Sequence, residues 1–335
     1  MGGFLGFCYR QLFFKPKPLP SAISLDGKTA LITGANSGLG LETARELAAH
    51  NISRLILTVR NAEKGEAART SILEQSPKSK VEIWNLDHDS YESIVEFQQR
   101  ISTLDRVDYA LLNAGLKKME YSTAQSGHET NVQINHIGTS AVSFAVLRAL
   151  RKTAKQLGTP TRLTMVSSEG HFWTPFEERK ADKILERMDD KATFGYQMQR
   201  YYTSKLLNVL WTKGLASKVS AEEVIINTVN PGFCYSGLHR HESTGIIKVF
   251  LWAFGWTSVQ GAHCLVDALV QHNASHGVYL SEQKETVYVL PFTQAIIVLI
   301  CCIVHRRSSC QMKEQRRRSG SGMRPPPYCL KRHPA

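Results

Sequence analysis

Residues 28–50 read KTALITGANSGLGLETARELAAH, and this stretch decides the fold. Lys28–Thr33 is a short apolar run. Gly34–Ala35–Asn36–Ser37–Gly38–Leu39–Gly40 is glycine-rich, and Leu41–His50 has the spacing of an amphipathic helix. A buried strand, a tight glycine turn and a helix start make a corner suited to phosphate. Glycines let the backbone approach a pyrophosphate, and the first N–H groups of the helix and its dipole face the anion. The spacing is Thr-Gly-x-x-x-Gly-x-Gly, not Gly-x-Gly-x-x-Gly. A glycine turn alone is weak evidence; the strand before it and the helix after it give it a cofactor role.

Downstream the same rhythm repeats. Leu55–Val59 reads as a second strand ending at Arg60–Asn61. In dinucleotide folds the end of this strand meets the adenosine ribose, where an acid suits a free 2′-hydroxyl and an arginine a 2′-phosphate. Arg60 supplies a cation and no acid follows Val59, so NADP(H) is the expected dinucleotide; the bland reading is a solvated arginine opening the next helix. Val81–Leu86 is a third strand ending at Asp87, whose carboxylate is placed to accept from an adenine amine. Asp89–Ser90 then caps a helix carrying Ile94, Val95 and Phe97.

Val107–Leu112 leads into Asn113–Ala114–Gly115, small residues suited to close contact with a ribose. A helix is expected from about Ser126 to Lys155, with Asn131 and Asn135 on one face. A buried asparagine in a helix commonly just satisfies a backbone group, so Asn135 is open between that and catalysis. Arg162–Ser167 is a strand closing on Ser167–Ser168, and 169–195 reads as a polar insertion with a short helix near Asp182–Met188. Val224–Val229 ends in Asn230–Pro231–Gly232, with Phe233, Cys234 and Ser236 beyond. A helix at about Ser258–His272 and a short strand, Val278–Leu280, complete the pattern. Strands alternating with helices imply an α/β fold, a Rossmann-type doubly wound parallel sheet in a single domain. Ligands of such sheets bind at the carboxyl ends of the strands.

Tyr201–Tyr202–Thr203–Ser204–Lys205 carries the chemistry. Residues four apart share a helix face, so Tyr201 and Lys205 enter one pocket. A phenol is a poor base at neutral pH, and a nearby cation favours its phenolate. Such a pair exchanges a proton with an oxygen passing between alcohol and carbonyl. By itself Tyr-x-x-x-Lys is common; a helix-surface pair is its bland reading.

Taken together, the pieces resemble the short-chain dehydrogenase/reductase family, and within it the retinol-dehydrogenase-like and fungal secondary-metabolism members. The matching pieces are Thr33-Gly34-x-x-x-Gly38-x-Gly40, Leu86-Asp87, Asn113-Ala114-Gly115, Asn135-His136-Ile137-Gly138, Val166-Ser167-Ser168, Tyr201-x-x-x-Lys205 and Asn230-Pro231-Gly232. They stand in the family's order over about residues 25–282. The resemblance implies that Tyr201 is the general acid/base and that Lys205 lowers its pKa and holds the nicotinamide ribose. It implies that Ser168 binds the substrate oxygen and that Asn135 positions a water linking Lys205 to solvent. Ser168 is preferred to Ser167 because the family's serine directly precedes the loop that begins here with Glu169–Gly170. Gly34, Gly38, Leu39, Gly40, Arg60, Asp87, Asn113, Cys234 and Ser236 are then expected to line the cofactor. Family helices flanking the sheet often pair subunits, so a homo-oligomer is an expectation too.

The substrate is expected to be a small carbonyl or alcohol. Aromatics near the strand ends (Phe172, Trp173, Phe233, Tyr235, Trp252, Phe254, Trp256) point to an apolar molecule or, equally, to packing within a lid helix. From another function class, a catalytically silent dinucleotide-binding sensor or scaffold is the rival; the intact Ser168, Tyr201 and Lys205 set argues against it.

The 335 residues carry a net charge of +12, but residues 301–335 hold nine Lys/Arg and one acid, +8 of that total. The basicity belongs to the tail, and without interleaved aromatics or a folded basic face it does not indicate nucleic acid. Four of the seven cysteines (Cys301, Cys302, Cys310, Cys329) lie in that tail. Cys8, Cys234 and Cys264 have neither metal-like spacing nor a disulfide framework, so no metal and a reducing, cytoplasmic-facing location are expected. Residues 1–20 read as a helical arm, packed or touching a membrane surface, ended by Lys15–Pro16–Lys17–Pro18–Leu19–Pro20; residues 21–285 form the catalytic domain and 286–335 an atypical tail. Within the tail Val287–Val304 is apolar and 18 residues long, at the lower limit for a membrane span. A membrane anchor, a segment packed on the domain, and a non-homologous end from a misread exon boundary are the three readings of it.

Overall fold

Apolar runs become strands where the sequence places them: β1 (Thr29–Thr33), β2 (Arg54–Val59), β3 (Lys80–Asn85), β4 (Tyr109–Leu112), β5 (Thr161–Val166), β6 (Val224–Val229) and β7 (Tyr279–Ser281). The computed structural model describes residues 4–196, 198–239 and 245–286. Among them the strands form one sheet in the order β3-β2-β1-β4-β5-β6-β7-β8, where β8 is Lys284–Thr286. Every pairing from β3 to β7 is parallel, and β8 folds back antiparallel on β7. The order reverses between β1 and β4, which opens a crevice at their carboxyl ends.

Every residue of β1, β5 and β6 is buried, as expected for parallel strands covered on both faces. The edge strand β3 instead exposes Lys80 and Asn85, which discourages pairing with another chain. The helices are α1 (Phe4–Phe13), α2 (Gly38–Ala49), α3 (Ala62–Leu73), α4 (Tyr91–Ser102), α5 (Thr130–Val132), α6 (Thr139–Leu157), α7 (Ile184–Asp189), α8 (Gln199–Ala216), α9 (Gly245–Phe254) and α10 (Ser258–Val270). Ala44 and Leu47 of α2 meet Leu265 and Leu269 of α10 over Ala30, Ile32 and Leu55 of the sheet, in one buried cluster. The carboxylate of Asp108 ties the other end of the sheet together, accepting from the Thr29 N–H and from the fork of Arg106.

The continuous helix expected from Ser126 to Lys155 is not what forms. Glu129 accepts from the N–H groups of Asn131 and Val132, so the helical stretch starts at Thr130. A π-helical turn, Gln133–Gly138, then separates α5 from α6. Gly138 is required there, because a Cβ would stand 2.6 Å from the His88 carbonyl oxygen. The α8 helix is buried almost all round, polar side chains included, so it cannot be a solvent-facing pair of residues on a surface helix. The expected insertion is present as short 3-10 turns and α7. The described part of the N-terminal arm is helical; it buries Phe7 and Gln11 and leaves Phe4, Leu5, Tyr9, Leu12 and Phe13 exposed. The apolar stretch 287–304 and its alternatives lie outside the described residues. Among the described residues no helix is long and apolar enough to cross a membrane.

Candidate active site

At the carboxyl ends of β1, β2, β4, β5 and β6 a cavity of about 710 Å³ opens, within the size range of cofactor and small-molecule sites. Its floor is the glycine turn. Gly34 and Gly38 have φ of +65° and +56°, a conformation that costs glycine nothing and other residues about 1–2 kcal/mol. Ser37 is the N-cap of α2 yet makes no side-chain hydrogen bond to that helix, and both Ser37 and Gly38 line the cavity. The first N–H groups of α2 therefore have no side-chain cap from Ser37, an arrangement chemically suited to an anion.

Gly40 works differently from the other two. A Cβ there would lie 2.6 Å from the Gly34 oxygen and 2.7 Å from Asn113 Nδ2, so this glycine lets α2 pack against the turn and is not itself in the lining. Asn113 Nδ2 donates to the carbonyls of Thr33 and Gly34 (3.0 and 3.2 Å), while Thr33 Oγ1 accepts from the N–H groups of Asn113 and Ala114. Asn113 therefore lines the cavity with its amide committed to the turn.

At the far end of the cavity stand Arg60 at the tip of β2 and Lys64 in the first turn of α3. Asn61 caps that helix, accepting from the Lys64 N–H over 2.8 Å. Lys64 adds a second cation that the sequence reading did not single out. Asp87 also lines the cavity, held by the Asp89 N–H over 3.0 Å.

Tyr201 and Lys205 both face the cavity from α8 and both are buried. Lys205 Nζ lies 5.8 Å from the centre of the Tyr201 ring and donates to the Val166 carbonyl at the end of β5 (3.1 Å). Burial pulls the Lys205 ammonium down to a pKa of about 8. Lys117, on the loop after Asn113–Ala114–Gly115, brings a second Nζ to 6.0 Å from the same ring. Its place was readable only as a Lys117–Lys118 pair just past a ribose-contact motif. Gly115 leaves room for these groups: a Cβ would stand 3.0 Å from Asn135 Oδ1 and 3.4 Å from Lys205 Nζ.

Asn135 sits in the π turn, outside the lining itself. Its Oδ1 accepts from the Leu116 N–H (2.8 Å), and its Nδ2 donates to the Leu116 carbonyl (2.9 Å) and Ser204 Oγ (3.0 Å). Its own carbonyl accepts from Asn208 Nδ2 over 2.9 Å. The backbone-satisfying reading of this residue is thus observed, its side-chain amide being committed to Leu116 and Ser204.

The two adjacent serines separate by burial. Ser167 is buried at the cavity edge and donates to the Lys205 carbonyl over 2.9 Å, which locks β5 to α8. Ser168 is half-buried, its Oγ accepting from the Gly170 N–H over 3.2 Å, and it is not part of the cavity lining. Leu39 and Ser236 line the cavity. Cys234 does not: its thiol points into a cluster with Trp256 and Cys264, accepts no place in the cavity, and is pushed up to a pKa of about 12 by burial. The structure thus places the Cys234 side chain, expected beside the cofactor, in apolar packing beneath the loop and outside the cavity lining. Among the described residues no cluster of three or more His, Cys, Asp or Glu could hold a metal ion.

With this geometry in view, a family model described as short chain dehydrogenase matches residues 28–168. A relative in Alternaria solani, short chain dehydrogenase sol3, is 53% identical over 283 residues, 84% of this chain and 99% of its own length. Another in Aspergillus ruber, short-chain dehydrogenase fogG, is 38% identical over 295 residues, 84% of each chain. Among solved structures, the RhlG/NADP active-site complex of Pseudomonas aeruginosa aligns with a TM-score of 0.61 at 21% identity, over 78% of this chain and 97% of that one. A short-chain dehydrogenase of Sphingobium yanoikuyae in complex with NADPH aligns with a TM-score of 0.55 at 18% identity, over 70% and 81%. These distant structures share the fold.

Proposed function

Because the chain belongs to the short-chain dehydrogenase/reductase family of oxidoreductases, we propose that it interconverts an alcohol and a ketone or aldehyde on a small apolar metabolite, using NADP(H). The observation that carries this reading is the convergence of Tyr201, Lys205 and the glycine turn on one cavity. The NADP preference rests on Arg60 and Lys64 at the end of β2, two cations suited to a 2′-phosphate. The NADP and NADPH complexes among the structural relatives agree with it. The fungal sources of the closely similar relatives support a role in secondary metabolism.

Gly34, Gly38 and the start of α2 would hold the pyrophosphate of the dinucleotide, and Asp87 would accept from its adenine amine. Bound NADP(H) supplies or takes up the hydride at its nicotinamide. In the reductive direction Tyr201 gives its phenolic proton to the substrate oxygen as the carbonyl carbon receives the hydride, and the product is the alcohol. The Lys205 ammonium steadies the phenolate that remains. The family resemblance gives Ser168, one residue beyond the cavity-lining Ser167, the role of donating a hydrogen bond to the same substrate oxygen and stabilising the charge that develops there. In the oxidative direction each transfer reverses.

Consumption of NADPH with a panel of aromatic aldehydes and ketones tests this, with Tyr201→Phe as control. Wild-type turnover reduced by at least about 10²-fold in the variant, at unchanged NADPH affinity, is the expected result. Equal turnover by the variant overturns the assigned role of Tyr201.

A further inference from the structure

The helix α1 precedes the dehydrogenase core and is not part of the sheet, yet it is wired to the loops that follow β5 and β6. Gln11 is 5% exposed, and its side chain makes three hydrogen bonds. Its Nε2 donates to the carbonyls of Phe233 and Phe254 (3.0 and 2.9 Å), and its Oε1 accepts from the Phe233 N–H (3.1 Å). The Gln11 carbonyl accepts from Trp256 Nε1 over 2.9 Å. The Phe7 ring packs against Trp173, Phe233 and Phe250, at 5.6, 6.1 and 6.2 Å between centres.

One residue earlier, Arg10 pairs with Glu169, the residue after Ser168, and its Nε lies 3.4 Å from Glu282 in the β7–β8 turn. Glu169 is anchored from the other side, its N–H donating to Asn230 Oδ1 over 3.2 Å. That same oxygen accepts from the Gly232 N–H (3.2 Å), and Asn230 Nδ2 donates to Ser281 Oγ (3.1 Å). Three loop ends meet on two residues of α1. Just beyond, Lys17 and Gln283 exchange two hydrogen bonds of 2.8 Å, which pins the chain entering the domain.

We propose that Arg10 and Gln11 are positioning residues: through them α1 fixes the Ser168–Trp173 and Pro231–Tyr235 loops, and with them the substrate side of the site. The inference rests on the reading of Ser168 as the group that meets the substrate oxygen. An ordinary core helix would bury apolar surface without a charged contact beside that serine. Here the contact is one whose charge changes near neutral pH. Burial raises the Glu169 carboxyl to about 7, with Arg10 pulling it down and Glu282 pushing it up. Above that value the Arg10–Glu169 pair is ionic; below it Glu169 is protonated and the grip of Arg10 weakens.

Hydrogen–deuterium exchange on the full chain, corrected for intrinsic rates, tests this in wild type, Arg10→Met, Arg10→Lys and Gln11→Ala, beside NADPH titration of each. At pH 8 exchange in 168–173 and 233–236 should be faster by at least about tenfold in Arg10→Met and Gln11→Ala. Arg10→Lys should restore most of the protection. For Arg10→Met the difference from wild type should shrink severalfold at pH 5.5, while NADPH affinity stays within about twofold throughout. Unchanged loop exchange, or an Arg10→Met effect equal at both pH values, overturns the proposal. Failure of wild type to bind NADPH would instead strike the cofactor reading and leave the exchange result standing.

Discussion

Lys205 reaches from α8 to the last residue of β5, its Nζ donating to the Val166 carbonyl over 3.1 Å in a buried setting. A cation placed there is costly to the fold. The protein keeps a group whose charge is disfavoured by burial 5.8 Å from the centre of the Tyr201 ring.

Burial lowers the Lys205 pKa from 10.5 to about 8, so between those values the unfolded chain holds a proton the folded chain has lost. Stability from this group therefore rises with pH across that window and is lowest below it. Urea unfolding of wild type and Lys205→Met at pH 7 and pH 10 should show wild type gaining roughly 3 kcal/mol relative to the variant at the higher pH. A difference that does not move with pH would mean that the lysine is not held charged in an apolar site.

Gly40→Ala is a steric test of the glycine turn. The added Cβ meets the Gly34 carbonyl and the Asn113 amide, both tied into the β1–β4 junction. Backbone must shift, costing on the order of 1–3 kcal/mol of stability, with a marked loss of NADPH affinity. Thermal unfolding and a fluorescence titration read the two effects separately.

Asn208→Ala probes the contact between α8 and the π turn. Removal of its amide leaves the buried Asn135 carbonyl without that donor and His136 Nδ1 without its 3.2 Å partner. A loss of about 1–3 kcal/mol is expected in denaturant unfolding. A change below about half a kcal/mol would show that the π turn is held by packing alone.

Much of this was legible in the sequence because parallel strands buried on both faces are written as apolar runs: Leu31–Ile32, Leu55–Leu57 and Ile225–Ile226 announce themselves. Glycines at positive φ and a Tyr–Lys pair one helical turn apart are equally local signals. What escaped is non-local or lacks an apolar signature. The β8 strand, Lys284–Glu285–Thr286, has no buried residue, so only its pairing with β7 makes it a strand. The π turn hides inside a pattern that reads as continuous helix, since periodicity does not register one residue of slippage. Cys234 stands in the right stretch but faces Trp256, a contact set by the loop's return path. The Arg10–Glu169 pair spans 159 residues, beyond the reach of any spacing argument.

The aromatic residues read from the sequence as either substrate walls or lid packing divide between exposed and packed positions. Trp256 is buried and tied to Gln11, Trp173 and Phe233 join Phe7 and Phe250 in one cluster, and Trp252 is exposed. Substitution of Phe233 by Ala should thus lower stability by about 2–4 kcal/mol through lost packing, besides any change in substrate preference. Unfolding midpoints and the carbonyl panel distinguish the two.

The proposed NADP preference requires that Arg60 and Lys64, in the corner after β2, read a 2′-phosphate. Fluorescence titration of the full chain with NADPH and NADH, in wild type and in Arg60→Ala, tests it most directly. Wild type should bind NADPH at least about tenfold more tightly than NADH, and the variant should lose most of that difference while its NADH affinity is little changed. Equal affinity for the two dinucleotides in wild type, or a preference for NADH, would contradict it.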